Sequence, residues 1–202
     1  MKKQVVVIHG GDNFKNRKDC LSFMKKQKID FERFNGKKRG WKTNLRDGLG
    51  SKFELVLPIM PNAFDARYVE WRVWFKKVIP FLRNGAILVG HSLGGTFLAK
   101  YLSENKFPKK IRATFLVAAC YDDKDADYSL ADFTLPKSLA KLAKQGGEIF
   151  IYQSKDDPIV PFTDFYKYKK ALPGARAVVF KNKRHFTQET FPELARAIKK
   201  LK

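Results

Sequence analysis

Ile87-Leu88-Val89-Gly90-His91-Ser92-Leu93-Gly94-Gly95 joins a short apolar run to the pattern G-x-S-x-G, and an amphipathic segment follows it. This order predicts a buried strand, a sharp turn that carries Ser92, and a helix. Glycine is needed at Gly90 and Gly94, because a side chain there would crowd the neighbouring backbone. Such a turn exposes the serine hydroxyl and directs a helix N-terminus at developing negative charge. The stretch therefore predicts a nucleophilic Ser92 at the tip of a strand.

Short apolar runs alternate with amphipathic segments on both sides of this stretch. We predict strands at residues 5–8, 53–57, 86–89, 113–119, 148–152 and 176–180. We predict helices at residues 17–26, 40–49, 67–82, 93–105, 136–144, 163–171 and 188–201. Alternation of this kind is typical of βαβ units. The expected fold is α/β: a single domain over residues 1–202, with a six-stranded parallel sheet covered by helices on both faces.

Residues 12–40 interrupt this alternation. More than forty residues separate the first predicted strand from the second, whereas a single crossover helix would need far fewer. Residues 12–40 follow His9-Gly10-Gly11 at the carboxyl end of the first strand, where open α/β sheets place their sites. We expect a helical insertion that either forms a lid over the site or packs on the flank of the sheet. It has four acidic residues against ten basic ones, which are Lys15, Arg17, Lys18, Lys25, Lys26, Lys28, Arg33, Lys37, Lys38 and Arg39.

A nucleophilic serine needs a base, and the chain has three histidines. In this type of site the chain order is serine, then acid, then histidine. His9 ends the first strand, and His91 lies inside the serine turn. Only His185, after the last strand, comes late enough, so we predict it as the base that activates Ser92.

The acid that orients the histidine should follow an intervening strand. Asp156-Asp157-Pro158 comes directly after the predicted strand 148–152. We predict Asp157 as the acid and expect Asp156 to cap or solvate the turn. Asp122 and Asp123, after the preceding strand, are the alternative location.

Two backbone amides should form an oxyanion hole. We predict that of Leu93, which follows the nucleophile, and that of Gly11 or Asp12, in the loop after the first strand. Aromatic residues on loops near the site predict a pocket for an apolar group. They are Tyr121, Phe133, Phe162 and Phe186.

The net charge of the chain is +21. The basic residues are dispersed along amphipathic helices, which favours a solvated surface over a dedicated nucleic-acid site, although non-specific attraction to nucleic acid is expected. Cys20 and Cys120 are too few for a disulfide framework, and no Cys/His cluster suggests a metal. From this cysteine usage we expect a reduced, cytoplasmic protein with no cofactor and no metal. No apolar run has the length of a bilayer span, so we expect no membrane partner.

The chain resembles the small α/β-hydrolases of the YdeN and retinoblastoma-binding-protein type over nearly its whole length. The segments that carry the resemblance are Val7–Gly11, Leu57–Asn62, Ala66–Trp71, Gly90–Gly95, Asp156–Pro161 and His185-Phe186. The resemblance implies a compact serine hydrolase with a minimal cap and with Ser92, Asp157 and His185 as its triad. Two departures stand out: Arg184 lies where glycine commonly precedes the histidine, and residues 12–40 exceed the usual loop.

These patterns indicate a serine hydrolase that cleaves a carboxylic ester, thioester or amide in a small-molecule or peptide substrate through an acyl-enzyme. The alternative is a catalytically minor protein that uses its basic surface to hold nucleic acid or an acidic partner. The full order of serine, acid and histidine favours the enzyme. Haloalkane dehalogenases and epoxide hydrolases are excluded, because they need an aspartate at position 92. The short segment 121–145 argues against a lipase with a large lid.

Overall fold

Six parallel strands form the centre of the computed structural model, which describes residues 1–37, 39–124 and 128–201 and, of Arg33 and Phe34, the backbone alone. The strands are β1 Lys3–Ile8, β2 Phe53–Val56, β3 Ala86–His91, β4 Ile111–Val117, β5 Glu148–Ser154 and β6 Arg176–Phe180. They lie in the order β2-β1-β3-β4-β5-β6, and every neighbouring pair is parallel. The predicted six-stranded α/β sheet is confirmed.

The helices largely follow the predicted segments. They are α1 Arg17–Lys26, α2 Phe31–Phe34, α3 Trp41–Leu49, α4 Tyr68–Val78, α5 Leu93–Glu104, α6 Ala140–Gln145, α7 Thr163–Ala171 and α8 Pro192–Lys199. The short helix α2 was not among the predicted segments, and α6 begins at Ala140 instead of at residue 136. Two further boundaries differ from the prediction because of proline. Helix α4 gives way to a 3-10 turn at Ile79–Phe81, which contains Pro80, and α8 begins only at Pro192, a residue that suits the first helical position.

Two apolar layers cover the sheet. Helices α4, α5, α6 and α7 pack on one face, where Trp71, Phe75 and Phe97 are fully buried. Helices α3 and α8 pack on the other face around Trp41 and Leu194. Alternate residues of each inner strand enter opposite layers, as the two-residue period of a strand requires. Both faces are therefore covered, which explains why the inner strands are continuous apolar runs.

The strand order reverses direction between β1 and β3. The chain leaves β1 toward β2 on one side and leaves β3 toward β4 on the other. At such a switch point the two connections diverge and leave a crevice beyond the carboxyl ends of the strands. His9-Gly10-Gly11 follows β1 and Ser92 follows β3, so the fold brings these two segments to one crevice.

Candidate active site

Ser92 occupies a strained turn between β3 and α5. Its φ is 55° and its ψ is −129°, in a region that side chains other than glycine rarely adopt. A Cβ atom on Gly90 would overlap the carbonyl of Gly94, and one on Gly94 would overlap the carbonyls of Ile8 and His9. The glycines of the G-x-S-x-G pattern are thus required by close contacts with the backbone.

The backbone of Ser92 is held on both sides, whereas its hydroxyl is exposed to a cavity. The amide donates to the carbonyl of Val117 on β4 at 2.9 Å, and the carbonyl accepts from the amides of Gly95 and Thr96. The cavity has a volume of about 960 Å³, and Ser92 and His185 both line it. Within the described part of the chain the Oγ atom of Ser92 has no hydrogen-bond partner. Bonds of this kind often tighten only when substrate binds.

His185 is paired with Asp157 beneath this cavity. The Nδ1 atom of the imidazole lies 3.0 and 3.1 Å from the two carboxylate oxygens. The side chain of Asp157 is 1% exposed, and it also accepts from the amides of Ile159 and Val160. A carboxylate only accepts hydrogen bonds, so Nδ1 carries the hydrogen and Nε2 carries the lone pair. That tautomer is the one a general base needs.

Asp156 makes different contacts from its neighbour. Its Oδ1 atom accepts from the hydroxyl of Ser154 at 2.6 Å and from the amide of Arg184 at 2.8 Å. The hydrogen bond from Ser154 and that from the Arg184 amide lower the pKa of this carboxyl. Asp156 therefore fixes the loop that carries His185. Its neighbour Asp157 is the aspartate that contacts the imidazole.

The alternative acids lie elsewhere. Asp122 pairs with the ammonium of Lys167 at 2.8 Å, and Asp123 accepts from the amide of Leu130 at 2.9 Å. Both carboxylates have partners in the loop after β4 or on α7. The structure therefore associates neither of them with the imidazole of His185.

Arg184 adopts a backbone conformation that favours glycine. Its φ is 47°, and its side chain is exposed. This explains in physical terms why glycine suits the position before the histidine, since glycine has no Cβ penalty there.

His9 holds the loop after β1 through both ring nitrogens. Its Nδ1 atom donates to the carbonyl of Gly10 at 2.6 Å, and its Nε2 atom accepts from the amide of Met60 at 2.9 Å. Accepting at Nε2 requires a neutral ring. Burial lowers the pKa of His9, and the nearby ammonium of Lys42 lowers it further, against a raising effect of the bond to Gly10.

The hydrogen bond of His9 also orients the amide of Gly11. The carbonyl of Gly10 and the N–H of Gly11 belong to one trans peptide and point in opposite directions. Holding the carbonyl on the His9 side therefore directs the N–H away from His9. The loop touches the nucleophile, since a Cβ on Gly10 would lie 3.0 Å from that of Ser92. The amide of Asp12 already donates to the carbonyl of Ala63 at 2.8 Å, which leaves Gly11 as the donor available to the cavity.

His91 supports the loop of His185. Its Nε2 atom donates to the carbonyl of His185 at 2.8 Å, and the two rings lie 5.0 Å apart. Burial holds the pKa of His91 well below its ordinary value, and the ammonium of Lys42 adds to this effect. The sequence predicted no contact between these two histidines. One ends β3 and the other lies on the loop after β6, more than ninety residues apart in the chain, so the sequence gave no signal of the contact.

Helix α1 forms one wall of the cavity. The lining side chains Asp19, Ser22, Phe23 and Lys26 recur at the spacing of one helix face. The first helix of the insertion thus borders the cavity, as the lid interpretation requires. Lys38 and the side chain of Arg33, which contribute to the basic count of the insertion, lie outside the described residues.

The comparisons with known proteins agree with this geometry. Residues 35–200 match the family model described as serine hydrolase. This chain belongs to the serine hydrolase family. No curated protein matches the sequence. The ydeN gene product of B. subtilis superimposes with a TM-score of 0.75 at 19% identity, covering 98% of this chain and 97% of that one.

Two further solved structures share the fold at lower similarity. The thioesterase domain from the curacin biosynthetic pathway has a TM-score of 0.61 at 12% identity, covering 98% of this chain and 89% of its own. The esterase domain of a Rhodothermus marinus protein has a TM-score of 0.60 at 14% identity, covering 97% and 82%. At these identities the likeness shows the α/β-hydrolase fold, and the expected resemblance to the YdeN type is confirmed.

The predicted aromatic pocket of this serine hydrolase needs correction. Tyr121, Phe162 and Phe186 do not line the cavity. Tyr121 meets Tyr168 edge to face, and Phe162 stacks on Phe165. Phe186 is fully buried against Phe180 and Phe191 in the apolar layer of α3 and α8, and its φ is 51°. The fourth aromatic, Phe133, is also fully buried in the core.

Other apolar side chains line the cavity instead. They are Phe14, Phe23, Phe64, Leu130 and Ile159. Three lysines and two aspartates share the lining with them: Lys15, Lys26 and Lys42, and Asp12 and Asp19. No group of three or more His, Cys, Asp or Glu side chains in the described ranges is arranged to hold a metal ion. Nor does any helix within those ranges have the length and apolar character needed to cross a membrane.

Proposed function

We propose that this serine hydrolase cleaves a carboxylic ester, thioester or amide through an acyl-enzyme, with Ser92 as nucleophile, His185 as base and Asp157 as the orienting acid. The observation that carries the proposal is the buried contact between Asp157 and Nδ1 of His185 beside the cavity that Ser92 lines. This contact sets the tautomer of His185 that a base needs, and the strained turn exposes the hydroxyl of Ser92 to the same cavity.

The reaction begins when Nε2 of His185 takes the proton of Ser92 and Oγ attacks the substrate carbonyl. Negative charge develops on the carbonyl oxygen, and the amides of Gly11 and Leu93 stabilise it by donating hydrogen bonds. The amide of Leu93 suits this role because first-turn amides of a helix have no partner within the helix.

The protonated imidazole then donates its proton to the leaving alcohol, thiol or amine, and the carbon–heteroatom bond breaks. Water, deprotonated by the same nitrogen, then attacks the acyl carbon. The bond from that carbon to Oγ of Ser92 breaks, the imidazolium returns its proton to Oγ, and the carboxylic acid leaves. Throughout, Asp157 stabilises the imidazolium that forms twice in the cycle. Asp156 keeps the loop in place through the amide of Arg184.

The cavity favours a substrate with an apolar acyl group. Phe14, Phe23 and Phe64 offer aromatic surface at the side of the insertion, and Leu130 and Ile159 line other parts of the cavity. Residues 12–40 act in this proposal as a partial lid through α1, which narrows the approach to Ser92. The lining has three lysines against two aspartates, Asp12 and Asp19, so its net charge is positive and favours anionic substrates. The narrowed approach favours small ones.

The test is covalent labelling. A fluorophosphonate should modify the wild-type protein, because Oγ of Ser92 displaces fluoride from phosphorus. Ser92→Ala should abolish both labelling and the hydrolysis of a panel of short-chain esters, long-chain esters, thioesters and aminoacyl amides. Ser129→Ala is the matched control, because Ser129 lines the same cavity without the strained turn. Labelling that survives in Ser92→Ala contradicts the proposal.

A further inference from the structure

Residues 15–39, called here the basic flap, combine charge with exposed apolar surface. The flap has ten basic residues against three acidic ones, Asp19, Asp30 and Glu32. Four of its large apolar side chains face solvent: Leu21 is 43% exposed, Met24 43%, Ile29 74% and Phe31 71%. A flap needed for solubility alone would explain the lysines but would not explain the exposed apolar side chains, which oppose solubility.

Helix α1 is attached to the body of the protein by a narrow contact. Cys20 is its one buried residue, and the thiol lies 3.7 Å from the carbonyl of Phe64. Phe23 packs against Phe14, with ring centroids 5.1 Å apart. The face with Phe23 borders the cavity, whereas Leu21 and Met24 project to solvent. The same helix therefore lines the candidate active site and presents apolar side chains outward.

Apolar side chains of the neighbouring loop extend this surface. Ile59 is 83% exposed and Phe64 is 59% exposed, and Phe64 also lines the cavity. The loop lies at the active-site end of the sheet, since the amide of Met60 binds His9. Basic residues alternate with the apolar ones along the flap: Lys18, Lys25 and Lys28 are all exposed.

We propose that the basic flap, with Ile59 and Phe64, docks on an anionic lipid surface and turns the mouth of the cavity toward it. Lysines beside exposed Leu, Ile and Phe are the combination that binds the interface of a bilayer, where charge attracts the headgroups and apolar side chains enter the acyl boundary. In a complex with nucleic acid, the phosphates would pair with the basic side chains and a base would stack on Phe31. The aliphatic side chains of Leu21, Met24 and Ile29 would have no partner there. This docking goes beyond the proposed hydrolysis, since it requires no chemistry at Ser92.

The experiment is co-sedimentation with phosphatidylcholine vesicles, with and without about 30% phosphatidylglycerol. Wild type and Ser92→Ala should bind the anionic vesicles equally, which separates docking from catalysis. Ile29→Ser with Phe31→Ser should weaken binding by about tenfold. The matched control is Val73→Ser with Phe81→Ser, which removes similarly exposed apolar side chains from α4 and the turn after it.

Charge is tested separately. Lys25→Gln with Lys28→Gln should weaken binding by about tenfold or more. Lys169→Gln with Lys170→Gln changes the net charge equally on α7, and it should leave binding nearly unchanged. A far-UV circular dichroism spectrum and a thermal midpoint like those of wild type show that each variant, Ser92→Ala included, is folded.

Three results would overturn the proposal. An equal loss of vesicle binding in the two double-lysine variants would mean that the vesicles attract the whole charged protein and that the flap is not a docking surface. Unchanged binding of the Ile29 and Phe31 variant would mean that no apolar side chain enters the lipid. If the flap lysines are needed for binding a single-stranded oligonucleotide but not for binding vesicles, the surface is a nucleic-acid site.

Discussion

The Nδ1 atom of His9 donates to the carbonyl oxygen of Gly10 at 2.6 Å. This bond fixes the peptide whose other end is the amide of Gly11. It makes His9 a positioning residue for the proposed oxyanion hole, although its ring does not carry the reacting proton.

Two substitutions of His9 separate its two hydrogen bonds. In His9→Asn the amide nitrogen lies close to the place of Nδ1 and can still donate to Gly10, so we expect kcat within about tenfold of wild type. In His9→Gln the side-chain amide replaces Nε2 instead, and kcat should fall by about 10²–10³ with little change in KM. Steady-state kinetics on one ester measure both. Equal losses would show that the bond to Gly10 does not orient the amide of Gly11.

The adjacent aspartates should differ sharply in their effect on turnover. Asp157→Asn should lower kcat by about 10³–10⁴, because an amide at this position favours the wrong imidazole tautomer. Asp156→Asn should lower it by less than about tenfold, since an amide oxygen can still accept from Arg184. The measurement is kcat of wild type and of the two variants at one pH. Comparable losses would contradict the assignment of Asp157 as the acid.

Stability should fall on mild acidification. His9 and His91 have lowered pKa values in the folded protein, whereas in the unfolded chain they titrate near 6.5. The unfolded state therefore binds more protons below that pH, and the free energy of unfolding decreases as pH falls from about 6.5. Each histidine contributes at most about 1.4 kcal/mol per pH unit in that window.

Urea unfolding at several pH values tests this expectation. His91→Gln removes one buried imidazole, so its free energy of unfolding should depend less steeply on pH between about 6.5 and 5. The carboxyl groups are unchanged in the variant and serve as the internal reference. Parallel pH profiles for wild type and variant would show that His91 is not held neutral.

Arg184→Gly should stabilise the protein. The φ of 47° costs a residue with a Cβ about 1–2 kcal/mol, part of which the greater freedom of glycine in the unfolded chain offsets. We expect a gain of up to about 1 kcal/mol in the free energy of unfolding. Lys181→Gly, in the same loop without a positive φ, should lose stability. A loss in both variants would mean that the arginine side chain makes a compensating contact.

Salt should distinguish anionic from neutral esters if α1 acts as a charged lid. Screening shortens electrostatic interactions to about 8 Å at physiological ionic strength, so kcat/KM for an ester with a terminal carboxylate should fall as salt rises. A neutral ester of the same length should respond little. Lys26→Gln removes a lining charge on α1, so it should make the salt dependence of kcat/KM for the anionic ester more like that for the neutral ester. An identical salt response for both esters would contradict the charged lid.

The sheet could be predicted from the sequence because strands buried on both faces form apolar runs that stand out from amphipathic helices. Ser92 and His185 could be proposed for a related reason. The serine turn has strict steric demands, and the fixed chain order leaves one histidine of three. Between adjacent aspartates the sequence held less information, and only the side-chain directions after β5 distinguish Asp157 from Asp156.

The cavity wall could not be predicted in the same way. Loop position alone suggested Phe186, but its ring is buried in the apolar layer of α3 and α8, and nothing in the sequence marks its positive φ. The real apolar lining comes partly from Phe23 on α1, whose face toward the cavity depends on how the insertion returns to the sheet. The roles of His9 and His91 depend on hydrogen bonds to backbone carbonyls, which leave no pattern in the sequence.

The three histidines of the chain all line the same cavity. In a proton NMR spectrum recorded in D2O after amide exchange, the Cε1 protons of the imidazole rings resonate downfield of the other aromatic protons. This molecule thus has three such probes, and each reports on one element of the crevice. The ring of His9 reports on the loop after β1, that of His91 on the tip of β3, and that of His185 on the loop after β6. A ligand titration followed at these three signals would map its position in the crevice without isotope labelling of any other residue type.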